Sequence, residues 1–408
     1  MNKRLVVLLC FILFIFSISC VSAEKNTTFS SLQTEINEAG STIELTHDYI
    51  YDNSTDWQLN QGILINKSDF IIDGKGHSID GAGQARIFNV TEYMIIKNLK
   101  LINGFSKEDG GAIFANDRIK FINVTFENNS AKEGGAVKIN LIETENCVFN
   151  NNYAEKGGAF SYSLSSWINN STFKNSHNLT YSLIYGRDLN SGIRIQNCIF
   201  LNSTSKYAAA LYNRKNTIII NSTFINLHSQ ESGGAIILKG MTYAEINNCT
   251  FINTTSAKNG GTIFIDAFGN IKQPGMTLIS NTTIINSSGN FGGALLQLGG
   301  NLTIKNSKFI NNNASFDGAA IYASNVWANI YNISIISNKL LNEDNNGGGI
   351  YFDKSNLNIS NSDFFNNTKN AIYAYDCNLT IDKSNFINNN VAIYQCRQVD
   401  FFILTLCF

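Results

Sequence analysis

The sequence predicts an all-β fold, a right-handed parallel β-helix, and three observations support that prediction. The 408 residues include 60 Asn and 53 Ile but a single Pro, a composition that favours strands and disfavours helix interiors. One phrase recurs about every 26 residues, a period typical of a solenoid. Within the repeat, apolar and polar residues alternate with the period of strands. The net charge of −1 gives nucleic acid no general reason to bind, so no nucleic-acid partner is expected.

The first 23 residues have the features of a secretory signal peptide. Lys3 and Arg4 precede an apolar run from Leu5 to Ile18, and the small residues from Val21 to Ala23 follow it. The alternative is an uncleaved anchor, but the run is short for the ~20 residues that a membrane span needs. We therefore expect an exported protein that is extracellular or displayed at the cell surface. The sequence leaves membrane association open.

Residues 24–40 predict a short N-terminal helix that covers the first coil, as the ends of a solenoid require. Ser30 to Gln33 has the form of a capping box. Leu32 and Ile36 share one helical face, and Gly40 is placed to end the helix.

Residues 41–394 are predicted to form the β-helix itself. The first phrase of the repeat is Asn, a small residue, any residue and then Phe, as in Asn123 to Phe126 and Asn306 to Phe309. Its apolar anchor falls at positions 101, 126, 149, 173, 200, 224, 251, 284, 309, 335, 364 and 386. A second phrase, such as Gly233 to Ile236, follows most anchors eight or nine residues later.

The repeat suits coils that stack in register about 4.8 Å apart. Phe309, Ile304 and Ile321 occupy columns that are large and apolar in nearly every coil, so we expect them to point inward as ladders. The Asn that opens the first phrase suits a turn, because Asn tolerates left-handed backbone angles and stacked amides hydrogen-bond between coils. The Gly-Gly pair suits a corner where neighbouring backbones approach closely.

Cysteine usage argues against a disulfide framework. Cys147, Cys198 and Cys249 occupy the same repeat position in alternate coils, about 9.6 Å apart, beyond the ~7 Å Cα limit for a disulfide. We predict that they are small residues that fill space in the interior.

The repeat phrases stop after Tyr394, and residues 395–408 form an atypical apolar tail. The sequence allows two interpretations of this tail, a truncated or altered end and a small apolar plug.

The two phrases together resemble the polymorphic outer-membrane protein repeats of bacterial surface adhesins. The shared motifs are Gly-Gly-Ala-Ile and Phe-x-x-Asn, the latter at Phe149 to Asn152 and Phe309 to Asn312. The Asn- and Ile-rich composition and the opening from Phe29 to His77 look like the adhesin-like proteins of methanogenic archaea. The resemblance covers roughly residues 29–394. It implies a non-catalytic cell-surface protein that attaches to glycans or to surface proteins of other cells.

The sequence predicts no catalytic residue, no metal site and no cofactor. Glycoside hydrolysis usually needs two carboxylates a few ångströms apart, and no column across the coils is acidic. The run from Arg118 to Lys120 resembles an element of polygalacturonases, but the accompanying Asp-Asp and Gly-His-Gly elements are missing. The histidines fall at different repeat positions: His47, His77, His177 and His228. A carbohydrate-active β-helix enzyme and a purely structural envelope protein remain the alternatives to an adhesin.

One outward column is the predicted ligand-binding surface. If the aliphatic residue of the second phrase points inward, the next residue points outward. That column reads Phe114, Lys138, Ser161, Tyr185, Tyr212, Ile237, Phe264, Leu296, Tyr322, Tyr351, Tyr373 and Tyr394. The candidate contacts for sugar rings or a partner protein are Tyr185, Tyr212, Phe264, Tyr322, Tyr351, Tyr373 and Tyr394. The alternative is that these rings stack on one another and only stabilise the sheet.

Two further features are candidate surface sites. The longest insertion between phrases, Asp266 to Thr277, is predicted to protrude as a loop. Asn-x-Ser/Thr occurs about twenty times, but many of these signals belong to the Asn column of the repeat, where packing explains the hydroxyl residue. The possible glycosylation sites outside that column are Asn26, Asn53, Asn178 and Asn313.

Overall fold

In a computed structural model the chain forms a parallel β-solenoid of about 15 turns, with about 25 residues per turn and only about 4% helix. The structure describes residues 27–268, 274–342 and 344–396, together with the backbone of 401–403 and 406–407. The predicted signal peptide, residues 1–23, lies outside these ranges. The prediction of an all-β parallel β-helix with a short N-terminal helix is confirmed.

Face A is the sheet built from the Gly-Gly phrase, and it has 14 strands within the described residues. Its strands are Ile63–Ile65, Phe88–Val90, Ile113–Ala115, Val137–Lys138, Phe160–Tyr162, Ile184–Gly186, Leu211–Asn213, Ile236–Lys239, Ile263–Asp266, Leu295–Leu298, Ile321–Ser324, Ile350–Asp353, Asn370–Tyr375 and Val391–Cys396. Burial alternates as predicted in the strand Ile321–Ser324, where Ile321 and Ala323 are fully buried and Tyr322 between them faces outward. The predicted exposure is wrong for Ser161, Ile237 and Leu296 of the outward column, which are 0%, 1% and 4% exposed.

The other strands belong to a second sheet, with 32 strands within the described residues, and they form two ladders. Face B comprises Thr42–Glu44, Phe70–Asp73, Leu141–Glu145, Ser166–Asn169, Ile193–Gln196, Thr217–Ile220, Tyr243–Asn247, Met276–Ser280, Asn301–Lys305, Trp327–Tyr331, Asn356–Ser360, Asn378–Asp382 and Phe401–Ile403. Face C comprises Thr27–Thr28, Tyr49–Ile50, Ser78–Asp80, Val148–Asn150, Thr172–Lys174, Ile199–Ser205, Thr223–Ser229, Thr250–Ser256, Thr283–Ile285, Lys308–Ile310, Ser334–Ile336, Asp363–Phe365, Ser384–Ile387 and Leu406–Cys407. Two long strands belong to both faces, Met94–Ile102 and Arg118–Glu127. Three short strands pair beside face C, Ser288–Gly289, Asn313–Ala314 and Lys339–Leu340.

In-register apolar ladders fill the interior. The predicted anchors pair from strand to strand between Leu101 and Phe386, and none of them is more than 5% exposed. The longest ring stack has centroids 4.5–4.8 Å apart and contains Phe126, Phe149, Phe173, Phe200, Phe224 and Phe251. This spacing matches the separation of neighbouring strands, so the backbone register sets the ring stack. The inward positions predicted for Phe309, Ile304 and Ile321 are confirmed, because all three are 0% exposed.

The predicted corners are also confirmed. The Asn column between faces B and C has φ between 48° and 55° from Asn123 to Asn361. Its amides bond between coils, as where Asn332 Nδ2 donates to Asn306 Oδ1 at 2.8 Å. At the Gly-Gly corner, Gly110 has a φ of 64°, and a Cβ on the next glycine would overlap a carbonyl of the next coil.

A buried asparagine ladder, which the repeat pattern did not predict, lies beside the anchors. The last Asn of the Phe-x-x-Asn phrase is at most 1% exposed at Asn152, Asn312, Asn338 and Asn367. Asn338 Oδ1 accepts hydrogen bonds from the backbone N–H and the Nδ2 of Asn312, at 2.9 and 3.0 Å. Asn338 Nδ2 donates to the Phe309 carbonyl and to Asn367 Oδ1, both at 3.0 Å. Because these amides are satisfied, the solenoid buries them without the usual penalty.

The capping helix Phe29–Glu38 buries Leu32 and Ile36 as predicted, but its start differs from the expected capping box. Thr28, not Ser30, is the N-cap residue, and its hydroxyl accepts from the Ser31 N–H at 3.4 Å. Asp56, just before the 3₁₀ turn Trp57–Leu59, accepts from the N–H groups of Phe29 and Ser30. A carboxylate from the next coil therefore supplies most of the cap, which local spacing alone does not reveal.

The other end of the helix is also held by the neighbouring coil. The C-cap is Ala39, in extended backbone, and not a left-handed Gly40. Lys67 Nζ donates to the carbonyls of Ile36, Asn37 and Ala39 at 2.5–3.1 Å. These bonds satisfy helix carbonyls that would otherwise be unpaired.

The strands continue beyond the last repeat phrase. Val391–Cys396 extends face A, and the described strands of the apolar tail pair with Asn378–Asp382 of face B and Ser384–Ile387 of face C. The backbone of the tail therefore adds to the existing ladders.

The cysteines fill space, as predicted. Cys147, Cys198 and Cys249 are each 1% exposed and have free thiols. Burial raises the pKa of Cys147 and of Cys198 to about 12. Ser222, at the same repeat position as these cysteines, accepts from the Cys198 N–H at 3.1 Å, so a small side chain suits this position whichever residue supplies it.

Candidate functional site

The outer column of face A has the predicted register. Each member pairs with the next from Phe114 to Tyr394. The structure therefore places all seven candidate aromatic residues on one line along the solenoid. Their surroundings differ along that line.

The last four tyrosines form a continuous stack. The ring centroids of Tyr322, Tyr351, Tyr373 and Tyr394 are successively 5.0, 4.9 and 5.0 Å apart, with interplanar angles of 5–13°. The first three are partly buried and Tyr394 is 47% exposed. Burial is the main cause that raises the pKa of Tyr351 above its ordinary value. Because the ring faces are occupied by neighbouring rings, the stack presents mainly ring edges to solvent.

The middle of the column is a more buried cluster. Tyr185 and Tyr212 stack at 5.4 Å, and Tyr181 packs against both at 5.2 Å. Tyr185 is only 9% exposed, and burial raises its pKa to about 12. Phe264 lies further along, between two aliphatic residues of the column. This section therefore offers less aromatic surface than the C-terminal stack.

The N-terminal end of the column is charged. Lys138 has a side chain that is 9% exposed, and its Nζ lies 2.7 Å from Asp109 Oδ2 and 3.8 Å from Glu133 Oε1. Arg187 Nε also lies 3.8 Å from Glu133 Oε1. These charges are arranged so that each carboxylate faces a cation.

The residues considered for catalysis lie apart from one another. Arg118 stacks over the Tyr93 ring at 4.3 Å on face B, and its Nη1 lies 3.4 Å from Glu143 Oε1. His77 Nδ1 lies 3.4 Å from Asp48 Oδ1, and His228 Nδ1 is hydrogen-bonded to a threonine hydroxyl. Across the described ranges, no three His, Cys, Asp or Glu side chains are grouped so that they could hold a metal ion.

The candidate surface sites have distinct settings. Asn53 and Asn178 are exposed, and Asn313 is partly buried in a short strand. Asn26 and residues 269–273 of the predicted loop lie outside the described residues, and Phe268 at the edge of that loop is 54% exposed. Amides of the Asn column are engaged in hydrogen bonds between coils, which agrees with explaining those glycosylation signals by the repeat. Glycosylation itself stays a prediction.

A groove on face B was not predicted. Trp327 is 68% exposed and forms one wall of a cavity of about 250 Å³. The lining side chains are Trp327, Ala328, Asn329, Asn356, Leu357, Asn358, Asn378 and Thr380. The alternation around Ala328 and Ile330, both buried, already indicates that Trp327 points outward. The strand Trp327–Tyr331 lies outside both repeat phrases, so the phrases do not predict the groove.

None of the helices in the described part of the chain has the length and apolar character needed to cross a bilayer.

No family model and no curated protein matches the sequence. Two structures of PfbA, a surface adhesin of Streptococcus pneumoniae, share 12% and 11% identity with it, with TM-scores of 0.31 and 0.32. These alignments cover 90% and 93% of this chain, and 93% and 100% of those chains.

Tailspike protein 3 of bacteriophage CBA120 is similar at 11% identity and a TM-score of 0.30. The alignment covers 91% of this chain and 60% of the tailspike chain. At these values of identity and TM-score, the similarities do not indicate a function for this chain.

Proposed function

We propose that this protein is a non-catalytic, adhesin-like protein of the cell surface that attaches to glycans or to surface proteins of other cells. The observation that supports the proposal best is the in-register stack of Tyr322, Tyr351, Tyr373 and Tyr394 on face A. The resemblance of the repeats to polymorphic outer-membrane proteins and to archaeal adhesin-like proteins points to the same role.

The stack has properties that suit recognition. Tyrosine offers a large amphipathic surface with few rotatable bonds, so little conformational entropy is lost on binding. Stacking on both sides restricts Tyr351 and Tyr373 further, because each ring lies between two others. The ring edges and phenolic groups of the stack are therefore preorganised for binding before a ligand is present.

A carbohydrate-active enzyme is the second candidate, and the cluster of Lys138, Asp109, Glu133 and Arg187 on face A is the observation that favours it. In this cluster the carboxylates are paired with cations. Such pairing suits a structural ion network better than an acid and a nucleophile that act on opposite sides of a glycosidic bond.

A binding and turnover screen with the full chain separates these functions. We expect saturable binding to a subset of immobilised glycans or whole cells, with no release of reducing ends or unsaturated sugars from polysaccharides. Cleavage that is abolished by Glu133→Gln would support the enzyme instead. Absence of binding to every glycan and cell would contradict the adhesin and leave a structural envelope protein.

A further inference from the structure

We propose that the Trp327 groove on face B is a binding site for a neutral pyranose sugar, separate from the tyrosine stack on face A. The inference rests on the proposed function in one respect, namely that glycans are what the protein meets at the cell surface. Its evidence comes from different residues.

The shape of the groove follows from the register of face B. Trp327 pairs with Asn356, which pairs with Asn378, so a large ring is followed by two short side chains in the same outward column. The indole ring of Trp327 therefore forms a wall on one side of a shallower surface, which is formed by Asn356 and Asn378 and is called the shelf below. The shelf extends about 10 Å, or two strand spacings, along the solenoid. A shelf of this length accommodates one or two sugar rings.

The polar groups on the shelf are held in fixed orientations. Asn358 Nδ2 donates to Asn329 Oδ1 at 3.1 Å, and Asn378 Nδ2 donates to Asn356 Oδ1 at 2.7 Å. In each pair one amide supplies the donor and the other the acceptor. Asn329 Nδ2 and Asn358 Oδ1 take no part in their bond and both residues are exposed, so a donor and an acceptor remain for a ligand.

This combination matches the chemistry of a neutral sugar. The face of an indole ring carries negative charge density and attracts the weakly positive C–H hydrogens of one pyranose face. Sugar hydroxyls are both donors and acceptors, as are the Asn amides. Among the described residues, no charged side chain lines the groove, so these residues offer no partner for the carboxylate of an acidic sugar.

Trp167 provides a matched control on the same face. It is 48% exposed and points outward like Trp327, but in the register of face B it lies between Glu143 and Arg194. An exposed tryptophan is therefore present in both places, but its neighbours on the adjacent strands are charged at Trp167 and are asparagines at Trp327. If exposure alone attracted sugars, the two would respond equally.

The test uses tryptophan fluorescence in the full chain. The protein has 3 Trp, and Trp57 and Trp167 are 61% and 48% exposed, so a Trp57→Phe, Trp167→Phe variant keeps its fold and reports on Trp327 alone. Methyl glycosides of glucose, galactose and N-acetylglucosamine are the probes, with glucuronic acid as the charged comparison. We expect a saturable change with at least one neutral glycoside and at least tenfold weaker binding of glucuronic acid. Asn329→Ala with Asn358→Ala should weaken the neutral glycoside about tenfold.

Two results would overturn the proposal: no saturable change with any neutral glycoside, or an equal change when Trp167 is the reporter in a Trp57→Phe, Trp327→Phe variant. Binding of the wild-type chain to whole cells is measured in parallel. If cells bind while Trp327 does not respond, the groove proposal fails and the adhesin stands. If Trp327 responds while no cell or glycan surface binds, the adhesin fails and the groove remains a sugar site.

Discussion

The solenoid contains two aromatic stacks with nearly the same geometry, one inside and one outside. The inner phenylalanines from Phe126 to Phe251 stack at 4.5–4.8 Å, and the outer tyrosines from Tyr322 to Tyr394 stack at 4.9–5.0 Å. The inner rings are 0% exposed, whereas the outer ones lie at the surface. Since parallel register imposes the stacking in both, stacked rings alone do not indicate a binding site. Exposure distinguishes the two stacks: the buried inner stack contributes to stability, and recognition is the role proposed for the outer one.

The largest expected effect is on the inner stack. Phe200 lies between Phe173 and Phe224, as Tyr351 lies between Tyr322 and Tyr373. Phe200→Ala should lower the free energy of unfolding by about 3–5 kcal/mol, because it leaves a cavity in a closed interior. Tyr351→Ala should lower it by about 1 kcal/mol, because solvent fills the space. Urea unfolding of both variants measures the difference, and equal losses would contradict this division of roles.

The same comparison between interior and surface can be made with two asparagines, the buried Asn338 and the exposed Asn306. Asn338→Ala removes four hydrogen bonds in the interior and leaves the backbone N–H of Asn312 without its acceptor, so we expect a loss of about 2–4 kcal/mol. Asn306→Ala, at an exposed corner, removes side-chain bonds to Asn281 and Asn332 and strains a left-handed residue, for about 1 kcal/mol. Thermal or urea unfolding of the two variants tests the order, and a larger loss at Asn306 would show that the corners dominate stability.

A buried carboxylate at the N-terminal end predicts a smaller, pH-dependent effect. Burial alone would raise the pKa of Asp73, but hydrogen bonds from Asn98 and the Lys75 N–H, with the Lys97 ammonium, lower that pKa to about 2. Because the folded pKa is below the ordinary value of 3.8, the stabilisation is present at neutral pH and is lost as the pH falls from about 4 to about 2. The loss is on the order of 2 kcal/mol.

Asp73→Asn is the control for this effect. We expect it to be less stable than the wild type at pH 7 and to lose less stability between pH 4 and pH 2. Unfolding free energies measured across that range decide the matter. Parallel pH profiles for the two proteins would mean that Asp73 does not contribute.

Much of the fold follows from the sequence because each coil repeats the same requirements. The large apolar anchors from Leu101 to Phe386, the left-handed Asn column and the Gly-Gly corner each restrict the residue types that fit, so the sequence shows the repeat. The helix cap was mistaken because Asp56 and Lys67 act across coils. The register of the outer column was predictable from strand alternation, but its partial burial was not, since loops and neighbouring rings determine it.

The most direct test of the central claim is cell or glycan binding by a Tyr351→Ala, Tyr373→Ala variant of the full chain. A matched control is Phe365→Ala with Ile387→Ala, which removes two side chains that are 40% and 46% exposed on face C. We predict at least tenfold weaker binding by the tyrosine variant, unchanged binding by the control, and melting temperatures within a few degrees of the wild type for both. Unchanged binding by the tyrosine variant would contradict the assignment of recognition to the outer stack.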